Sequence, residues 1–252
     1  MSVQKSWSEL QKMARACKIT VDTLSLLEAA ALPGVTTKEL DQLAHDAIVK
    51  AGAKPAFLGY RGYPATLCIS VNEEIVHGIP GPKKLQEGDI VGLDLGCIVE
   101  GYYADCAITL PVGPVPPRVQ ELLDVTRESL DKAIVQCRAG NRLGDISHAV
   151  QTHCEGHGFG VVRAFVGHGI GQSLHEEPQI PNFGDAGRGP VVKAGMVLAI
   201  EPMVTMGSYE VKVLDDRWTA VTVDGSWAAH FEDTIAITER GPEVLTRLDQ
   251  AA

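Results

Sequence analysis

Between Gly167 and Pro178 the chain reads Gly167-His168-Gly169-Ile170-Gly171-Gln172-Ser173-Leu174-His175-Glu176-Glu177-Pro178, which sets two imidazoles seven residues apart. Three glycines within five positions argue against a helix, since each costs about 1 kcal/mol relative to Ala there. The stretch therefore reads as a shaped loop or strand end. Its imidazoles are open to chemistry, and its glycines let backbone and ligand approach closely.

A second feature lies upstream. In Val91-Gly92-Leu93-Asp94-Leu95-Gly96-Cys97 the apolar residues alternate with Gly92, Asp94 and Gly96, so the acid stands on the opposite face with open space at the flanking glycines. The chain reverses around Glu100-Gly101, and Asp105 on the returning strand shares a face with Ala107 and Thr109. Depending on where the turn is centred, Asp94 and Asp105 are directly opposed or diagonal; both registers keep them on one face. Two carboxylates held roughly 5 to 8 Å apart repel unless protonated or bridged by a cation.

Two further acids sit against apolar strands, Glu201 in Val197-Leu198-Ala199-Ile200-Glu201-Pro202-Met203 and Glu232 in His230-Phe231-Glu232-Asp233-Thr234-Ile235. Acids in such settings are seldom left unpaired. Asp94, Asp105, Glu201, Glu232 and His168 give five ligands, four of them oxygen donors. That donor set suits divalent Mn, Fe or Co, with Zn also accommodated, and differs from the thiolate set of structural zinc.

These residues need a scaffold. Leu10, Met13, Cys17, Val21, Leu24 and Leu27 form one helical stripe that ends at Pro33-Gly34. Thr36-Thr37-Lys38-Glu39 reads as a capping box for a second helix running to Ala51-Gly52. Leu67 to Val71 predicts a short strand, Asn72 to Glu74 a turn, and Asp89 to Leu110 a hairpin. From Pro116 the order recurs: a helix marked by Val119, Leu122, Leu130 and Ile134, then another marked by Ile146, Val150 and Cys154. A shift of 106 residues superposes Gly34 on Gly140 and Glu39 on Asp145. The fold class expected is α+β with two similar halves, each two helices on antiparallel strands, sharing one core. No linker separates them, so one domain over 1–252 is expected, with halves at about 5–113 and 114–245.

Composition limits the function. A net charge of −10 argues against a nucleic-acid site or binding to an anionic membrane. No run of eighteen apolar residues occurs, so no membrane span is expected. The first nine residues lack the apolar core of a secretory signal, and a cytoplasmic protein is expected. The six cysteines are scattered without a Cys-x-x-Cys pair and read as free buried thiols.

The order Asp94, Asp105, Gly167-His168-Gly169-Ile170-Gly171, Ile200-Glu201-Pro202-Met203 and Phe231-Glu232-Asp233-Thr234 resembles methionine aminopeptidase, type I, of the pita-bread metallopeptidases. Asn72-Glu73-Glu74-Ile75-Val76-His77-Gly78-Ile79-Pro80-Gly81 and His175-Glu176-Glu177-Pro178 strengthen the likeness, which covers nearly the whole chain. The 26 positions from His175 to Glu201 leave no room for the helical insertion of type II, and the chain resembles the short bacterial form.

The resemblance implies two divalent ions held by Asp94, Asp105, His168, Glu201 and Glu232, with Asp105 and Glu232 bridging. Such a pair lowers the pKa of a shared water and polarises the scissile carbonyl, and Glu201 would accept the water's proton. His175 would stabilise the tetrahedral intermediate, and His77 would contact the peptide beyond the scissile bond. Tyr60, Tyr63, Cys68, Leu174 and Trp218 would form the methionine pocket, with Phe57 and Met203 nearby. The implied substrate is the N-terminal Met-peptide of nascent proteins whose second residue is small; the ribosome is an implied partner, and a monomer is expected. Met1-Ser2 of this chain fits the same rule. Alternatives are an X-Pro aminopeptidase or dipeptidase of the same fold and a non-catalytic peptide-binding module. Arg61, Leu174 and Ala229-His230-Phe231-Glu232-Asp233 depart from the commonest pattern, in which the last segment reads Ala-Gln-x-Glu-His.

Overall fold

The computed structural model describes residues 4–250, with side chains described through Arg247; Met1-Ser2 lies outside the described residues. Helices α1 (Trp7–Ala30) and α2 (Thr37–Lys50) precede β1 (Lys54–Pro55), β2 (Cys68–Val71), β3 (Glu74–Val76) and the hairpin of β4 (Ile90–Val99) and β5 (Tyr102–Pro111). Helices α3 (Pro117–Gln136) and α4 (Leu143–Gly156) then lead into the short strands β6 (Gly160–Val161), β7 (Gly167–Gly169) and β8 (Glu176–Ile180). The chain continues through β9 (Val197–Ile200), β10 (Met203–Thr205), β11 (Val211–Val213), β12 (Ala220–Thr222), β13 (Ala228–His230), β14 (Asp233–Thr238) and β15 (Gly241–Val244).

The two helix pairs turn in the same way. Gly34 and Gly140, superposed by the sequence repeat, both take left-handed backbone, with φ of 91° and 98°. Glu39 accepts the Thr36 N–H at 2.7 Å and donates its own N–H to the Thr36 hydroxyl at 3.2 Å, a reciprocal cap; at the start of α4 Asp145 likewise accepts the Arg142 N–H at 2.7 Å, without a side-chain return bond.

Each pair covers its own sheet. Strand β4 lies between β5 on one side and β1 and β2 on the other. Its Leu93, Leu95 and Cys97 are buried with Met13, Cys17 and Leu24 of α1, and the Cys97 thiol donates to the Ala16 carbonyl at 3.3 Å. In the second half the order is β15-β14-β9-β7-β8, and Leu198, Ile200 and Ile235 are buried with Leu122, Leu130 and Val150 of α3 and α4. The alternation that sends these apolar residues toward the helices sends their neighbours to the other face.

The Glu100-Gly101 reversal has positive φ at both residues, 49° and 83°, the geometry of a tight hairpin turn. It pairs Gly96 with Asp105 and Asp94 with Ala107. The two aspartates are therefore diagonal on one face, the second of the two registers the sequence allows.

The halves meet along a seam. Ala107 and Glu232 exchange backbone hydrogen bonds, the Thr109 hydroxyl donates to the His230 carbonyl at 2.7 Å, and the Thr234 hydroxyl donates to the Asp105 carbonyl at 2.7 Å. Strand β5 thus runs antiparallel beside the stretch from His230 to Thr234 of the second half. All six cysteines are free and buried. Among the described residues no helix is long and apolar enough to cross a membrane.

Candidate metal centre and active site

The seam aligns residues from distant parts of the chain. Cys68 pairs with Asp94, Asp94 with Ala107, and Ala107 with Glu232, so these four share one face. In the next row Gln179 pairs with His168, His168 with Ala199, and Ala199 with Thr234, whose hydroxyl reaches Asp105. Three strand spacings, about 14 Å, separate His168 from Asp105 along this row. Their side chains nevertheless come to 3.9 Å, which requires the sheet to be concave there.

The five sequence-predicted ligands converge on this concave face. His168 Nε2 is 3.5 Å from Glu201 Oε1, and Asp105, His168 and Glu232 each place one ligand atom within 4.8 Å of the other two. Nδ1 of His168 lies 2.9 Å from the Gly169 carbonyl; donation there fixes the tautomer and leaves Nε2 free as a ligand. Asp94 Oδ1, Asp105 Oδ1 and Glu232 Oε1 are buried without a hydrogen-bond partner. Buried carboxylate oxygens left this way carry a large desolvation cost unless a cation completes them. The oxygen-rich donor set with one oriented imidazole fits a divalent ion.

The electrostatics agree with this reading. Burial raises Asp94 to about 7. Burial, and then the neighbouring carboxylates, push Asp105, Glu201 and Glu232 well above the ordinary carboxylate range. Burial, and then His175, depresses His168 to about 3, so its imidazole is neutral at physiological pH.

The remaining predicted residues except Met203 line the same cleft, of about 390 Å³. The His175 ring lies 4.3 Å from that of His168, and its Nδ1 is 2.7 Å from the Tyr60 hydroxyl. Burial, and then the Arg61 charge, lowers His175, which gives the departure at Arg61 a physical consequence. The Tyr63 hydroxyl donates to the Gly78 carbonyl at 2.8 Å, and its ring meets Trp218 edge-on at 5.1 Å. His77 is held at φ 61° against Phe165 and Trp218, a left-handed conformation that non-glycine residues seldom adopt. Cys68, Leu174 and Phe57 complete the apolar walls.

Met203 does not reach the cleft: its strand turns the side chain into a separate cluster with Ile75 and Val162. The glycines also serve a different end from the one their spacing suggests. A Cβ on Gly167 would sit 2.5 Å from the Ala199 carbonyl, and one on Gly169 would strike that of Glu177. Neighbouring strands, not a ligand, demand these glycines. The space beside Asp94 is likewise filled, because Gly96 admits Ala56 and Phe57 to within 3.2 Å of where its Cβ would be.

Several supporting residues escaped the sequence reading. Asn182 is buried and donates to the Glu201 carbonyl at 2.9 Å. Glu176 accepts the Gln172 N–H at 2.8 Å and pairs with Lys5 at 2.5 Å, fixing the loop that carries His175. Phe165 stands against His77 with nothing local to mark it. The unusual Asp233 faces away from the cleft, where it binds Arg247 at 2.5 Å and accepts the Thr246 hydroxyl at 2.6 Å.

A cleft with clustered carboxylates and a neutral imidazole defines a metal-dependent hydrolase, and the chain belongs to metallopeptidase family M24, whose model matches residues 11–239. Its similarity to named members is extensive. It is 51% identical to the methionine aminopeptidase of Clostridium perfringens, covering 98% of this chain and 99% of that one. It is 52% identical to methionine aminopeptidase 1 of Bacillus subtilis, covering 98% and 100%. A solved methionine aminopeptidase of Thermotoga maritima superposes with a TM-score of 0.96 at 50% identity, covering 98% and 99%. The prolidase of Pyrococcus furiosus shares the fold at a TM-score of 0.79 and 23% identity, with 97% of this chain matching 65% of that one. The fold is the pita-bread fold, two pseudo-symmetric halves of helix pairs on antiparallel sheet.

Proposed function

We propose that the chain removes the N-terminal methionine from nascent proteins whose second residue is small, as a metal-dependent methionyl aminopeptidase acting in the cytoplasm as a monomer, with the ribosome as a partner. The observation that carries this reading is the gathering of Asp94, Asp105, His168, Glu201 and Glu232, drawn from both halves, in one cleft that Phe57, Tyr63, Leu174 and Trp218 also line. Ligands drawn from both halves support reading the chain as one catalytic domain with internal halves of about 5–113 and 114–245.

Asp94, Asp105, His168, Glu201 and Glu232 would hold two divalent ions, Co, Mn or Fe, with Zn also suited to the donors. When bound, the ions offset the clustered negative charge, acidify a water and polarise the peptide carbonyl. Glu201 would take the attacking water's proton and return it to the leaving amine. His175, held by Tyr60, would donate to the carbonyl oxygen as negative charge develops there. His77, braced by Phe165 and Trp218, binds the peptide beyond the scissile bond. Tyr63, Cys68, Leu174 and Trp218 offer the thioether an apolar, polarisable wall.

The test is hydrolysis of Met-Ala-Ser, Met-Lys-Ser and Ala-Pro peptides by metal-free protein supplied with Mn, Co or Fe. Cleavage of the first alone is expected. Cleavage of Ala-Pro alone would move the chain to the X-Pro enzymes, and no cleavage under any metal would leave a binding module.

A further inference from the structure

His230 occupies a place that the five-ligand reading leaves unexplained. It ends β13, is 4% exposed, and its Nε2 is buried without a hydrogen-bond partner. That atom lies 3.8 Å from Glu201 Oε2 and 3.9 Å from Glu232 Oε2. Glu201, His230 and Glu232 each offer one ligand atom within 4.8 Å of the other two, a second grouping beside that of Asp105, His168 and Glu232.

The separations distinguish two roles. A hydrogen bond to either carboxylate would bring N and O to about 2.7 to 3.2 Å, and neither contact is that short. Two ligands on one ion, each with a bond of about 2.0 to 2.2 Å, stand up to about 4.4 Å apart, and both contacts fall inside that limit. The ring is also aimed by its backbone. The His230 N–H donates to Thr109 Oγ1 at 2.9 Å and the Thr109 hydroxyl returns to the His230 carbonyl, so the ring rises from the same face as Glu232, two residues on.

We propose that His230 is a metal ligand, its Nε2 joining Glu201 and Glu232 on one ion, so that Glu201 lies between two ligating imidazoles, His168 and His230. The proposal rests on the metal-centre reading above. It gives the site a second nitrogen donor in place of a neutral oxygen-bearing side chain. Imidazole favours Fe, Co and Zn over Mn relative to an all-oxygen position, so the residue tunes which ion the site retains.

The experiment is 15N NMR of the histidine side chains in the full chain during titration with zinc, together with zinc and manganese affinities by calorimetry. Two of the eight histidines should move a ring nitrogen into the metal-bound range, and His230→Gln should remove one of them. The same substitution should weaken zinc binding by about 10-fold or more, on the scale of losing a metal-supporting group, and weaken manganese binding less. A single responding imidazole that survives His230→Gln overturns the proposal and leaves the metal centre standing. No responding imidazole overturns both. If His230→Gln does not fold, assignment of the second responding ring in the unsubstituted chain decides: His230 supports the proposal and any other histidine overturns it.

Discussion

Ala107 and Glu232 exchange both backbone hydrogen bonds across the seam, at 2.9 and 3.3 Å, and Ala107 also pairs with Asp94 on its other side. A methyl group therefore separates two carboxylates in one row on one face, and its smallness leaves the space in which an ion can be held. Ala107 is 1% exposed. Ala107→Val should overfill this row at a stability cost of about 1 to 3 kcal/mol, with a fall in manganese affinity beyond what the unfolding data explain. Calorimetric titration beside a urea unfolding curve checks it; unchanged affinity would show that the row is not the ion's cradle.

The carboxylates predict how metal removal depends on pH. Asp105, Glu201 and Glu232 have folded-state pKa values raised well above the ordinary range, and Asp94 stands at about 7. A raised pKa stabilises the fold below the unfolded value, and that stability is lost as pH rises through the folded value. His168 and His230, both depressed to about 3, act in the opposite sense. Their contribution is present above about 6.5 and lost as pH falls toward 3. Above pH 6.5 the carboxylates alone remain. Chelated protein should therefore lose about 1 kcal/mol per pH unit for each proton still retained, and added manganese should raise Tm more at pH 8 than at pH 6.5. Thermal melts at both values with and without manganese measure this.

Asp105→Asn should separate activity from stability. It removes a ligand and should lower kcat/KM on a Met-Ala peptide by at least about 10³-fold, the scale for an essential transition-state stabiliser. It also removes one of the buried negative charges that raise Glu232, so the chelated variant should melt higher than the chelated parent at pH 8. Hydrolysis that survives the substitution would place the activity elsewhere.

Trp218 touches Tyr63 and faces His77 across the mouth of the cleft while remaining half-buried. Trp218→Ala removes aromatic surface from the proposed thioether pocket without disturbing a ligand. The expected result is a KM raised about 10-fold or more for Met-Ala peptides, the scale of a one-to-two kcal/mol apolar contact, with zinc affinity unchanged.

Asp233 and Arg247 form an ion pair at 2.5 Å on the helix side of β14, with Asp233 buried. Arg247→Met should cost about 3 kcal/mol, because removing one partner leaves a buried charge uncompensated. Asp233→Asn added to it should recover much of that loss. Urea denaturation of the single and double variants measures both steps.

Much was legible along the chain because it is periodic or local. The stripe from Leu10 to Leu27 specified α1, Thr36 and Glu39 specified the start of α2, and the alternation from Val91 to Cys97 put Asp94 opposite the apolar face before any contact was known. The acids in apolar strands marked themselves, since burying a carboxylate needs a partner. The family likeness supplied the cleft residues His77, His175, Tyr60, Tyr63, Cys68 and Trp218, which spacing alone would not have assembled. The purpose of the glycines was not legible, because a glycine needed for a close strand and one needed for a ligand look alike in sequence.

The sequence by itself determined the elements and the side of each strand on which its acid stands, because hydrophobic period and capping act over a few residues. Only the tertiary structure decided that Ala107 meets Glu232, that β5 and β14 make one concave surface, and that His230 turns its Nε2 toward Glu201. Those contacts join residues 29 to 125 positions apart, and they depend on the twist of two sheets against two helix pairs, a property of the whole packed chain that no local window contains.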